Sequence, residues 1–265
     1  MPISSGLSGQ RVLVTAASRG IGFGAAKAFL EEGARVVINS SNQSRLDSAA
    51  ERLRSSGGEV HPVVGDLTLR RDLDRLVEET IAKLGGIDSL VYVTGSPPPG
   101  IFMEKTYDDW ESAARLLVVS PAYLARKVAE AMIEKKIHGR LVFLASWAIR
   151  EPIATIATSS VCRIAIAGMV RTLARELGPN GIRVNAILPG YIRTARVDQI
   201  AEDNARRKGI SKQEALEEIE KQIPLGRIGS TEELARCIVF LGSEMSEYVS
   251  GAMIPVDGGI LRSVG

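Results

Sequence analysis

A chain of 265 residues and 28.4 kDa is the right size for one large α/β domain, and 45% hydrophobic with 24% charged residues rules out intrinsic disorder. Against 31 Asp+Glu, 33 Lys+Arg leave a net charge of +2, with no basic block longer than Arg206-Arg207-Lys208, so nucleic acid is not expected as a partner. Cys162 and Cys237 are far apart and have no CxxC or Cys/His neighbours, which offers neither a disulfide framework nor a metal site. Residues 1–10 lack an apolar signal core, and no charge-free apolar run approaches about 18 residues. The expectation is a cytoplasmic protein with no membrane partner.

Short apolar runs recur at 11–15, 35–38, 60–64, 89–93, 141–144, 183–187 and 252–255, and they read as buried parallel strands. Between them, helical spacing covers 21–32, 44–55, 69–84, 107–136, 157–177 and 231–241. Strict alternation of the two implies βαβ units and an α/β doubly wound sheet, mostly parallel and seven-stranded, with helices on both faces. Gly33, Gly85-Gly86 and Gly178-Pro179-Asn180-Gly181 punctuate helix ends. Residues 194–224 break the rhythm as a long, charged, helical insertion after the sixth strand, where such folds bind their ligands.

The first strand runs into Thr15-Ala16-Ala17-Ser18-Arg19-Gly20-Ile21-Gly22 and then a helix. Backbone N–H groups at such a helix start hold a pyrophosphate, and glycine lets it approach; the alternative is glycine as mere steric relief in a turn. Without a following Gly-Lys-Ser/Thr it is not a P-loop. An NAD site would place an acid after the second strand, about 20 residues on, but the chain reads Asn39-Ser40-Ser41-Asn42. With no carboxylate to repel a 2′-phosphate and Arg19 in the loop, NADP(H) is expected over NAD(H), unless Arg19 is only a solvated charge.

These residues resemble the short-chain dehydrogenase/reductase family, in particular its 3-oxoacyl-(acyl carrier protein) reductase-like members, over essentially the whole chain. The resemblance rests on the 15–22 loop, Gly65-Asp66-Leu67-Thr68, Trp110, 173–178, 181–186, Pro189-Gly190 and the ending Val256-Asp257-Gly258-Gly259. It implies a single Rossmann-type domain over 1–265 and an oxidoreductase moving hydride between NADP(H) and a small carbonyl or hydroxyl substrate. Cofactor positions implied are Thr15, Ser18, Arg19, Gly20, Ile21, Gly22, Ser40, Ser41, Asp66 and Leu67 at the adenosine end, and Gly95 beside the ribose. At the nicotinamide end they are Arg163, Pro189, Gly190, Ile192 and Thr194. Asp66 and Thr194 have the alternative of capping helices, and Gly95 and Gly190 of being turn glycines. The resemblance also implies a homotetramer or homodimer.

The family's Asn, Ser, Tyr and Lys are only partly present. Ser146 matches the serine; the tyrosine position is Ser159, the lysine position Arg163, and the asparagine region reads Leu116-Leu117-Val118. The usual Asn-Asn-Ala-Gly reads Tyr92-Val93-Thr94-Gly95, and the first loop glycine is Ala16. Serine is too weak an acid to replace the phenol and arginine stays protonated, so the usual relay is absent, though Arg163 still offers charge to a developing alkoxide. Ala16 costs about 1 kcal/mol if its φ is positive and little if it is not. Tyr191, after Pro189-Gly190, is the candidate replacement acid, with packing under the insertion as its alternative. Ser146, Ser159 and Arg163, with Arg150 nearby, are also suited to an acidic substrate, while Arg163 on a buried carbonyl or the cofactor ribose is the plainer expectation. The competing function is a non-catalytic NAD(P)-binding sensor or assembly subunit; binding of another nucleotide, or none, comes third.

Overall fold

The computed structural model describes residues 4–55 and 57–263. Seven parallel strands form one sheet: β1 (Arg11–Val14), β2 (Arg35–Ser40), β3 (Val60–Val64), β4 (Ser89–Tyr92), β5 (Arg140–Leu144), β6 (Arg183–Pro189) and β7 (Met253–Val256). Their order is β3-β2-β1-β4-β5-β6-β7. The chain therefore reverses its winding between β1 and β4, and the crevice where it does so is the expected ligand site of an open sheet.

Both faces of the strands are apolar because both are covered. Leu13, Val37, Leu90 and Phe143 point to one side, where α3 (Arg70–Leu84), α5 (Ser120–Glu134) and α6 (Ala157–Leu177) bring Leu76, Leu124 and Val170. Val12, Val14, Ile38 and Val91 point to the other, against α1 (Gly20–Glu31), α2 (Gln43–Arg54) and α9 (Thr231–Leu241) through Phe29, Leu46 and Ile238. Each such side chain, fully withdrawn from water, contributes about 1.5–3 kcal/mol.

Two expected elements differ. The helix expected over 107–136 is interrupted: α4 (Tyr107–Ala114) passes into a π turn at Arg115–Val119 before α5 begins. Pro121 is the physical cause, having no N–H for the carbonyl of Leu117. The ladder slips by one, so that Ser120 N donates to Arg115 O. The Ser120 hydroxyl donates to that same carbonyl at 2.7 Å, and the Leu116 carbonyl, freed by the slip, accepts the Tyr92 hydroxyl at 3.1 Å.

The 194–224 insertion is two helices, α7 (Ala195–Lys208) and α8 (Lys212–Lys221). Gly209 closes α7 at φ +68°, and a Ser211/Glu214 capping box opens α8. Val197, Ala201, Ala215 and Ile219 give this pair its own small core, which packs over Trp147 and Tyr191. Among the described residues no helix is long and apolar enough to cross a membrane.

Candidate active site

Thr15 sets the crevice. Fully buried, it donates through Oγ1 to Val93 O at 2.5 Å and accepts from Val93 N at 2.9 Å, locking the ends of β1 and β4 together. It therefore holds the crevice in shape and offers no side-chain group to a ligand, which corrects its place among the expected contacts. The loop after it turns through Ala16 at φ +46° and Gly20 at φ +57°. An L-residue at positive φ costs about 1–2 kcal/mol, of which glycine's extra chain entropy cancels about 0.5–1. Ala16→Gly is thus expected to raise the unfolding free energy by up to about 1 kcal/mol in urea melts, and an unchanged midpoint would show the turn to be unstrained.

The start of α1 fits a pyrophosphate. Arg19 at its N-cap makes no side-chain cap, and no acid lies in the first turn, so the leading N–H groups stay open to an anion. A Cβ on Gly22 would lie 2.5 Å from Ala16 O, which shows how closely helix and loop approach. Thr194 is at the N-cap position of α7 but makes no cap; its hydroxyl donates to Ile192 O. Its methyl lies 3.5 Å from where a Gly20 Cβ would be, which brings the insertion's first turn over the glycine loop.

At the end of β2, Asn39 is buried and its amide donates to Val63 O and Gly65 O, tying β2 to β3. Ser40 and Ser18 join hydroxyls at 3.0 Å, while Arg19 and Ser41 stand exposed beside them. Asp66 does not cap α3, whose N-cap is Leu69; its Oδ1 accepts from the Thr68 N–H and hydroxyl. Leu67 is 8% exposed, and Ile21 packs on the core.

The residues expected to be catalytic include Ser146, at the end of β5, and Ser159 and Arg163 on α6. Ser146 accepts from Ala148 N at 3.1 Å and keeps its own proton free to donate. Ser159 and Arg163, one turn apart on α6, meet as Nε donates to Oγ at 3.2 Å, which again leaves the serine proton free. The Arg163 guanidinium donates further to Leu144 O at 3.1 Å, Ala145 O at 3.4 Å and Gly95 O at 3.2 Å. Four of its five N–H groups are therefore spent, and a bidentate grip on a carboxylate is not available to it in this arrangement. Burial lowers its pKa to about 10, so it remains a cation at neutral pH.

Tyr92 is what sequence reasoning left without a role. Its buried phenol braces the π turn through Leu116 O, and burial raises its pKa, partly opposed by the nearby Thr94 hydroxyl and Arg163 charge. The Tyr92 and Leu117 departures thus fall in one packed unit, with Leu117 buried against Ala113 and Cys162. Pro121 was the signal in the chain that could have located it.

Elsewhere the expected residues scatter. Tyr191 is half-buried, edge-on to Trp147 at 6.1 Å under the insertion, and makes no hydrogen bond to Ser146, Ser159 or Arg163. Its burial raises the phenol's pKa, away from the range a neutral-pH acid needs. The packing alternative is what the geometry favours. Arg150 donates to Met253 O and makes no hydrogen bond to Ser146, Ser159 or Arg163. Pro189 ends β6, and Gly190 has a packing reason of its own, since a Cβ there would lie 2.6 Å from Asp257 Cα. Ile192 is buried and bridges Gly229. A surface recess of about 560 Å³ lined by Arg171, Arg175 and Ser250 contains none of these residues.

A parallel sheet with a pyrophosphate-ready helix start at its switch point defines a dinucleotide-binding fold. Comparison with known proteins gives the family. The sequence model described as enoyl-(acyl carrier protein) reductase matches residues 15–261. Glucose 1-dehydrogenase of Gluconobacter oxydans is 34% identical over 260 residues, 98% of this chain and 94% of that protein. The 3-oxoacyl-(acyl-carrier-protein) reductase FabG of Thermotoga maritima is 32% identical over 257 residues, covering 96% and 99%. L-sorbose reductase from Gluconobacter frateurii, crystallised with NADPH and L-sorbose, superposes with a TM-score of 0.93 at 31% identity over 99% of this chain and 100% of that one. The chain belongs to the short-chain dehydrogenase/reductase family of NAD(P)-dependent oxidoreductases.

Proposed function

We propose that the protein, as one domain over residues 1–265, is an NADP(H)-dependent oxidoreductase acting on a small carbonyl or hydroxyl compound at a site without the tyrosine–lysine pair. The observation that carries this reading is the Ser159 hydroxyl, free to donate, held by a buried guanidinium that also bonds Ala145 O, next in the chain to Ser146, whose hydroxyl is likewise free to donate. NADPH, when bound, supplies the hydride. Gly20, Gly22 and the α1 N-terminus would hold its pyrophosphate, Asp66 its adenine, and Thr194 and Gly190 would flank its nicotinamide. Ser18, Arg19, Ser40 and Ser41 would take the 2′-phosphate, since no carboxylate stands at the end of β2 to repel it. The sorbose reductase crystallised with NADPH supports the use of NADP(H).

On the substrate side, Ser146 and Ser159 donate to the reacting oxygen while Arg163 stabilises its negative charge. Neither residue type is an acid at neutral pH, so the completing proton comes from solvent. The insertion at 194–224 covers the substrate. Exposed Val119, Val161 and Ile164 suit association of the central and Ser159-bearing helices in a homo-oligomer.

The test is NADPH consumption with a panel of small aldehydes and ketones. Ser146→Ala is expected to lower kcat/KM about 100-fold, by loss of one oxyanion donor, and undiminished turnover in that variant would contradict the assignment. A second reading, a cofactor-binding subunit without redox chemistry, is favoured by the engagement of Arg163 with backbone carbonyls. It predicts cofactor binding with no turnover on any of the panel.

A further inference from the structure

Arg163 and Arg196 reach the same short segment from two helices. Arg163, on α6, donates to Gly95 O at 3.2 Å; Arg196, in the first turn of α7, donates to Pro97 O at 3.4 Å, with its other terminal nitrogen on Gln199 Oε1 at 3.2 Å. Neither forms an ion pair among the described residues, whereas the neighbouring Arg193 is paired with Glu220, and Arg207 with Glu104. Asp203 on α7 offsets part of the Arg196 charge without pairing with it; its Oδ1 is engaged by Arg206 and its Oδ2 is buried without a partner. Arg196 is partly buried and Arg163 is 7% exposed, so solvent screens neither charge well. Burial lowers the Arg163 pKa most, Tyr92 opposes that, and the Arg196 charge lowers it a little further.

Two guanidinium groups that form no ion pair among the described residues, both bonded to the segment after β4, are poised for a charge brought from outside. Counting donors, Arg196 has three N–H groups unspent and Arg163 one. We propose that the substrate is an acid, its carboxylate held chiefly by Arg196 and completed by the remaining Nη2 N–H of Arg163, with its reacting oxygen toward Ser146 and Ser159. Arg196 thereby sets the substrate class. The inference rests on the oxidoreductase reading for the reacting group, but the acid grip itself is a binding property of the chain.

Calorimetric titration with 2-oxobutyrate and its neutral analogue 2-oxobutyramide tests it, in the cofactor-free protein and again with NADPH present. The acid is expected to bind at least tenfold tighter than the amide at low salt. R196Q is expected to abolish that preference, R196K to keep part of it, and R193Q to leave it unchanged because Arg193 is exposed and already paired. Equal affinity for acid and amide, no binding of either, or a preference that survives in R196Q overturns the proposal. Absence of NADPH binding in the parallel titration overturns the oxidoreductase reading instead, since the acid preference is read without cofactor as well.

Discussion

Replacing Arg163 by methionine is expected to lower the unfolding free energy by about 3 kcal/mol, the net of two opposing effects. Three backbone carbonyls, at Leu144, Ala145 and Gly95, lose their donor, and each buried unsatisfied acceptor costs about 1–3 kcal/mol. Against that, the variant no longer desolvates a cation, which returns part of the loss. At about 2–4 °C per kcal/mol for a chain of this size, Tm falls by roughly 10 °C. Arg163→Lys keeps the charge but not the planar fork, so it should fall between the two. Thermal and urea melts check the series. A methionine variant as stable as the parent would mean that the clamp across β4, β5 and α6 contributes nothing to the fold.

The second large effect is at Gly22. An alanine Cβ there would lie 2.5 Å from Ala16 O and 2.9 Å from Ala17 Cα, and both are backbone atoms that cannot swing aside. Helix and loop must separate, at about 1–3 kcal/mol for overpacking of this kind. The N–H groups that face the pyrophosphate move with them. Gly22→Ala is therefore expected to weaken NADPH binding by more than about 100-fold, measured by quenching of protein fluorescence. Gly24→Ala makes the comparison, because its Cβ would meet Thr231 Cβ at 3.2 Å, a tight contact that asks its neighbour to give by only a few tenths of an ångström. If the two variants bind NADPH equally well, the close approach at Gly22 has no part in the cofactor site.

The strands were legible because a parallel sheet covered on both faces leaves continuous apolar runs such as Val36-Val37-Ile38 and Leu141-Val142-Phe143-Leu144. Ser159 and Arg163 were located by the family resemblance, counting from Ser146, and their i, i+4 spacing on a helix accounts for the contact between them. What that pair does was not legible, since the Arg163 partners are carbonyls at the end of β5 and in the loop after β4, distant in sequence. The π turn depends on a missing donor at Pro121 and a phenol arriving from β4, and apolar periodicity registers neither. Thr15 was read as a ligand contact from its place in the loop, and only the β1–β4 junction reveals its other use. The division of the insertion was written locally, in Gly209 and in the Ser211 to Glu214 box, but a charged segment hides its breaks from a reading based on apolar spacing.

Calorimetric titration of the cofactor-free protein with NADPH, and with NADH for comparison, tests the central claim most directly. The account predicts micromolar binding of NADPH and weaker binding of NADH, with the difference reduced in Arg19→Ala. Failure of both nucleotides to bind would contradict it, and would leave the glycine loop as a turn without a ligand.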